Sequence, residues 1–142
     1  MARYTATVQT AKPIEEVFAY LSDFSNSQEW DPGVLHAERL TAGPIEQGAR
    51  FKLRTSFMGS ESDLVYEITE IESPRRVVLA GENARVVSVD EMTFQSAGTG
   101  TSITYDADLR LKGLLRFGDP LLGLAFRRVG DRALAGLRAK LG

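Results

Sequence analysis

At 142 residues, with 43% apolar and 25% charged side chains, the chain fits one domain (residues 1–142) around a single core, a balance that suits neither disorder nor a coiled coil. A net charge of −2 offers no general attraction to phosphate backbones or anionic lipid, so nucleic acid is not expected as a partner. Cysteine is absent, which excludes disulfides, thiolate metal sites and a cysteine nucleophile. With no signal-peptide core after Met1 and no apolar stretch of bilayer length, the expected location is the cytoplasm, without an integral membrane segment.

Arg3 to Gln9 alternates, with Tyr4, Ala6 and Val8 on one side and Thr5 and Thr7 on the other, and reads as a first strand with one buried face. Pro13 suits a first helical turn, Glu15 and Glu16 complement the positive end of the helix dipole, and Ile14, Val17, Phe18 and Leu21 recur at i, i+3, i+4 and i+7. That spacing predicts a short helix with one apolar stripe. Residues 22–26 break it, a second helical turn follows, and Trp30-Asp31-Pro32-Gly33 ends the helical region because proline and glycine continue a helix poorly.

Residues 34–40 read as a second strand, followed by a loop through Gly43, Pro44 and Gly48. In the third, Phe51, Leu53, Thr55 and Phe57 alternate with Lys52, Arg54 and Ser56. Residues 58–61 make a hairpin connection into a fourth strand that turns Leu64, Tyr66 and Ile68 one way. Residues 77–80 and 86–95 give two more. After the Ala97-Gly98-Thr99-Gly100 hairpin, a seventh alternates Ile103, Tyr105, Ala107, Leu109 and Leu111 with polar neighbours. Seven strands on short links predict an antiparallel meander. The last helix opens with Asp119 as N-cap and Pro120 at its first position, and residues 113–118 are the one hinge candidate before it. At 100° per residue, Leu122, Ala125, Phe126, Val129, Ala133, Leu134, Leu137 and Leu141 fall within half its circumference. A flat sheet cannot cover so broad a face. A curved one can, and the order of elements therefore predicts a container for an apolar small molecule.

The layout, with Ala11-Lys12-Pro13-Ile14-Glu15-Glu16-Val17-Phe18, Trp30-Asp31-Pro32-Gly33-Val34, Gly48, Pro74 and Gly100-Thr101, resembles the polyketide cyclase/dehydrase and lipid-transport family of the START-like, or Bet v 1-like, SRPBCC superfamily. The resemblance covers essentially the whole chain. It implies an α+β helix-grip fold: a seven-stranded curved antiparallel sheet wrapped around a long C-terminal helix, with two short helices between strands one and two. It also implies a ligand cavity between sheet and helix. Members include carriers, cyclases, receptors and co-regulators, so the fold alone does not choose among functions.

The chemistry-bearing residues are few. His36 is the single histidine and has no partners at metal or triad spacing, and the glycine pieces lack the strand-loop-helix order of a phosphate loop, so they read as turns. No metal and no cofactor are expected. Asp90 shares its phase with Met92 and Phe94, which places it inside unless Val87 and Val89 face inward or a bulge shifts the register. A carboxylate there has its pKa raised by desolvation and can act as a general base or anchor a ligand hydroxyl. Tyr66 and Tyr105 share the inward face, Lys52 and Arg54 face solvent, and Trp30 packs the short helices. Gly123 and Gly130 each cost about 1 kcal/mol against alanine within a helix, for which either room for a ligand or close packing on the sheet is a reason. The expected ligand-binding set is Phe51, Leu53, Phe57, Tyr66, Asp90, Met92, Tyr105, Leu122, Phe126, Val129, Gly130 and Ala133, with Asp90 the one catalytic candidate. The residues leave open a binding protein for a hydrophobic or aromatic molecule, a cyclase/dehydratase-type enzyme, and an interaction module with a closed interior.

Overall fold

The structure, a computed structural model, describes residues 2–57, 59–112 and 121–142, without the side chains of 121 and 122. The chain runs β1 (Ala2–Thr10), α1 (Ile14–Ser22), a 3-10 turn (Phe24–Asn26), α2 (Ser27–Trp30), β2 (Val34–Arg39), β3 (Arg50–Phe57), β4 (Ser60–Glu72), β5 (Arg76–Glu82), β6 (Val86–Ala97), β7 (Gly100–Leu111) and α3 (Leu121–Leu141). Asp119, Pro120 and the expected hinge at 113–118 lie outside the described residues. Among those described, one antiparallel sheet has the order β1-β7-β6-β5-β4-β3-β2, so β2 through β7 pair with their neighbours in sequence and the last strand closes back on the first. The sheet curls into a half-barrel around α3, with the short helices across one end.

The alternation read from the sequence sorts inside from outside. In β6, Ser88, Asp90, Met92 and Phe94 are buried, while Val89 is 38% exposed. Opposite phases on the outer face carry Arg3–Asp106, Arg54–Asp63 and Arg76–Glu91 ion pairs in solvent, each contributing about 0–1 kcal/mol.

The interior has two levels. Toward the end covered by α1 and the 3-10 turn it is solid: Phe51, Ile68, Leu79, Met92 and Ile103 are fully buried, Phe18 meets Phe94 edge-on at 5.1 Å, and Phe24 meets Phe51 at 6.5 Å. The C-terminal half of α3 belongs to this level. Leu134, Leu137 and Leu141 are 5% exposed or less, and each burial contributes about 1.5–3 kcal/mol to holding the helix down. Gly136 lets it approach, since a Cβ there would stand 1.9 Å from the Trp30 carbonyl oxygen. In the N-terminal half of α3, Ala125, Phe126, Val129 and Gly130 are only half-buried, and the sheet opposite is hollow.

Candidate functional site

A cavity of about 160 Å³ lies beneath that half of α3. Strand residues two steps along from the solid core form its walls: Leu53, Thr55 and Phe57 of β3, Ser62, Leu64 and Tyr66 of β4, Ser88 and Asp90 of β6, and Tyr105, Ala107 and Leu109 of β7. Phe126, Val129, Gly130, Ala133 and Leu134 close it from the helix side, and Phe24, Asp31, Gly33 and Val34 from the short-helix end. Phe57 and Phe126, both in the lining, meet edge-on with centroids 6.4 Å apart.

Nine of the twelve residues expected at a ligand site line this space: Leu53, Phe57, Tyr66, Asp90, Tyr105, Phe126, Val129, Gly130 and Ala133. Phe51 and Met92 do not. Both face inward, but each sits one step deeper, within the solid level: Phe51 pairs across the ladder with Tyr66, and Met92 with Tyr105. Alternation fixes which face a side chain takes and carries nothing about depth along the strand. Leu122 lies outside the residues whose side chains are described. The two helix glycines differ: Gly130 lines the cavity and also gives room to a neighbouring ring, whereas Gly123 faces away from it. Gly130 accommodates the Tyr4 ring, whose carbons would be 2.6 Å from a Cβ, and Gly123 is exposed with nothing within 4 Å.

Asp90 is 6% exposed. Its Oδ1 accepts from Ser88 Oγ at 3.0 Å and its Oδ2 from the Tyr105 hydroxyl. Burial pushes its carboxyl up to about 6 against the pull of those two donors. A second carboxylate joins it. Asp31, read in the sequence only as part of a helix stop, folds back so that its Oδ1 accepts from the Gly33 amide at 2.8 Å, an Asx turn that aims the carboxylate into the cavity. Burial lifts it to about 6 as well, with the Asp90 charge adding to the rise and the Gly33 N–H opposing it. Tyr66 and Tyr105 are pushed well above 10 by burial and by the Asp90 charge, so both stay protonated as donors. The Tyr66 ring fits only because Gly81 stands beside it, where a Cβ would be 2.6 Å from the ring carbons. Trp30, buried as expected, meets Tyr105 edge-on at 6.0 Å.

The alternation that places Asp90 inside also places Ser88, two residues earlier, although its role as a donor to Asp90 is visible only in three dimensions. Asp31 carried no periodic signal, because a turn residue has no phase. His36 is exposed on β2, and Lys52 and Arg54 face solvent beside Asp63. Among the described residues no group of three or more histidine, aspartate or glutamate side chains is placed to hold a metal ion, and no helix is long and apolar enough to cross a membrane.

Solved structures of the same shape include a START superfamily protein of Mycobacterium smegmatis (TM-score 0.82, 13% identity, 99% of this chain and 97% of that one). Two others are the TTHA0849 protein of Thermus thermophilus (0.78, 18%, 98% and 96%) and ginseng major latex-like protein 151 of Panax ginseng (0.71, 11%, 99% and 97%). At such identities the likeness is one of fold. No curated sequence matches the chain. Residues 1–142 match the family described as polyketide cyclase / dehydrase and lipid transport, and with the curved sheet and gripped helix already in place, the chain belongs to that family.

Proposed function

We propose that the protein binds a small hydrophobic or aromatic molecule in the cavity between the sheet and α3. The observation that carries this reading is a void of about 160 Å³ walled mainly by apolar side chains, with a few convergent polar groups at one side. An apolar cavity of about 150 Å³ admits benzene, so a one-ring ligand body fits without rearrangement, whereas a lipid chain or fused polyketide needs α3 to move outward. Desolvation supplies affinity, and Asp31, Tyr66, Asp90 and Tyr105 set orientation. Access runs near the Gly59 turn, the Trp30-to-Gly33 segment and the start of α3. The absence of cysteine supports a cytoplasmic setting.

Toluene is the probe that tests the site. Saturable NMR shifts confined to Leu53, Leu64, Val129 and Leu134 support it, and Val129→Phe, which fills the space, should remove them. No saturable shift in the wild-type chain would refute the reading. A second reading, a cyclase/dehydratase-type enzyme, draws on one observation: two carboxylates near pKa 6 beside phenols can exchange a proton with a bound carbonyl compound at neutral pH. It requires turnover whose pH profile disappears in Asp90→Asn.

A further inference from the structure

We infer that the ligand of this cavity is an organic cation, a protonated amine on an apolar body of about one ring, with its ammonium group seated between Asp31 and Asp90. The inference rests on the cavity being the ligand site, as proposed above. Its first support is a charge imbalance. The described residues lining the cavity include two carboxylates and no lysine, arginine or histidine. Buried carboxylates are ordinarily matched by a cation, because desolvating an unpaired charge is costly. Among the described residues the partners here are neutral donors: Ser88 and Tyr105 for Asp90, and one backbone amide for Asp31.

The second support is unused hydrogen-bonding capacity. Asp31 Oδ2 has no partner among the described residues. The Tyr66 hydroxyl, on a residue 7% exposed, opens onto the same space. It hydrogen-bonds to Ser88, whose own proton goes to Asp90, so the phenol proton is used and its oxygen keeps acceptor capacity toward the cavity. Each of these oxygens can accept an N–H of an ammonium group. Phe24, Tyr66, Tyr105 and Phe126 add aromatic surface that attracts a cation through the ring quadrupole. Neutral and anionic ligands fare worse. An alcohol gains an ordinary hydrogen bond where an ammonium gains a charge-assisted one, roughly twice as strong, and an anion adds a third like charge to a dry site.

Four matched probes separate these cases: benzylamine, benzyl alcohol, benzoate and toluene, each titrated into the full chain near pH 7 and followed by NMR. Benzylamine should bind at least about tenfold more tightly than benzyl alcohol, and benzoate should show no saturable binding. In Asp31→Asn, which keeps the Oδ1 acceptor for the Gly33 amide and whose folding is checked by its amide spectrum, the benzylamine advantage should fall below about threefold. Toluene saturating while benzyl alcohol or benzoate equals benzylamine overturns the charge inference and leaves the cavity reading standing. Failure of all four, toluene included, overturns both. A benzylamine advantage that persists in Asp31→Asn and in Asp90→Asn overturns the seating between the two carboxylates.

Discussion

Replacing Asp90 by asparagine asks whether a carboxylate that destabilises the fold sits in the wall of the cavity. Asp90 is 6% exposed, and burial raises its pKa from 3.8 to about 6. Because the folded value lies above the unfolded one, the native chain holds more protons than the unfolded chain between them. The contribution of this group to stability therefore falls as pH climbs from about 4 through about 6 and stays low above that. A shift of about two units, at 1.36 kcal/mol each, sets a ceiling near 3 kcal/mol. Asparagine keeps the shape and removes the charge. Its amide oxygen accepts from one of Ser88 and Tyr105 while its NH₂ donates to the other, whose hydroxyl rotates to accept. The stability of Asp90→Asn relative to wild type should accordingly improve by about 1–3 kcal/mol between pH 4 and pH 7, read from urea unfolding at each pH. Working with the difference cancels the surface carboxylates that titrate with the opposite sign, such as Glu82 beside Lys112 and Asp106 beside Arg3, both held below their usual range. Asp31 faces the same space, carries the same sign, and relaxes toward its ordinary pKa when Asp90 is neutralised, which enlarges the difference. A difference independent of pH would refute a desolvated, charge-bearing Asp90.

The glycines of α3 should answer one substitution in opposite ways under thermal or urea unfolding. Gly123→Ala, in open space, gains up to about 1 kcal/mol of helix propensity, whereas Gly136→Ala drives a methyl into the Trp30 carbonyl and loses about 1–3 kcal/mol. Gly130→Ala should fall between them, because the Tyr4 ring it meets is a side chain that can shift, though its hydroxyl is tied to Asp131 at 2.8 Å. Equal effects at Gly123 and Gly136 would contradict the close packing of α3 on α2. Tyr105→Phe removes one of the two donors holding the Asp90 charge, so the Asp90 carboxyl should titrate above about 6 by carboxyl-carbon NMR; an unchanged or lowered midpoint would deny that bond.

The strands and the helix face were legible because their signal is periodic. Tyr66, Asp90 and Tyr105 followed from a two-residue repeat, and Leu134, Leu137 and Leu141 from a 3.6-residue one. Three things escaped that kind of reading. Depth along a strand separates Leu53 from Phe51 and Asp90 from Met92, and it depends on where the short helices end. The orientation of Asp31 comes from an Asx turn in a segment with no repeat at all. Gly136, absent from the expectations, matters for a contact with the backbone carbonyl of Trp30, far earlier in the chain.

These same features explain why the hollow sits where it does. In the solid level, Phe18, Phe24, Trp30 and Leu21 descend from the short helices onto Phe51, Ile68, Met92 and Ile103, and α3 adds Leu137 and Leu141. One step along the strands, the inward residues include Thr55, Ser62, Ser88 and Ala107, and the helix offers Gly130 and Ala133. Small side chains on both facing surfaces leave space that neither surface can close alone, and filling it with leucine would add apolar contacts at little cost. The polar members of the wall gather on the boundary between the two levels, where the protein around them is already rigid. Two carboxylates held there weaken the fold at neutral pH, a cost that the proposed cationic ligand would offset. A cavity built solely for an apolar guest has no use for Asp31 and Asp90, so their pairing is the feature that most narrows the chemistry of the proposed ligand.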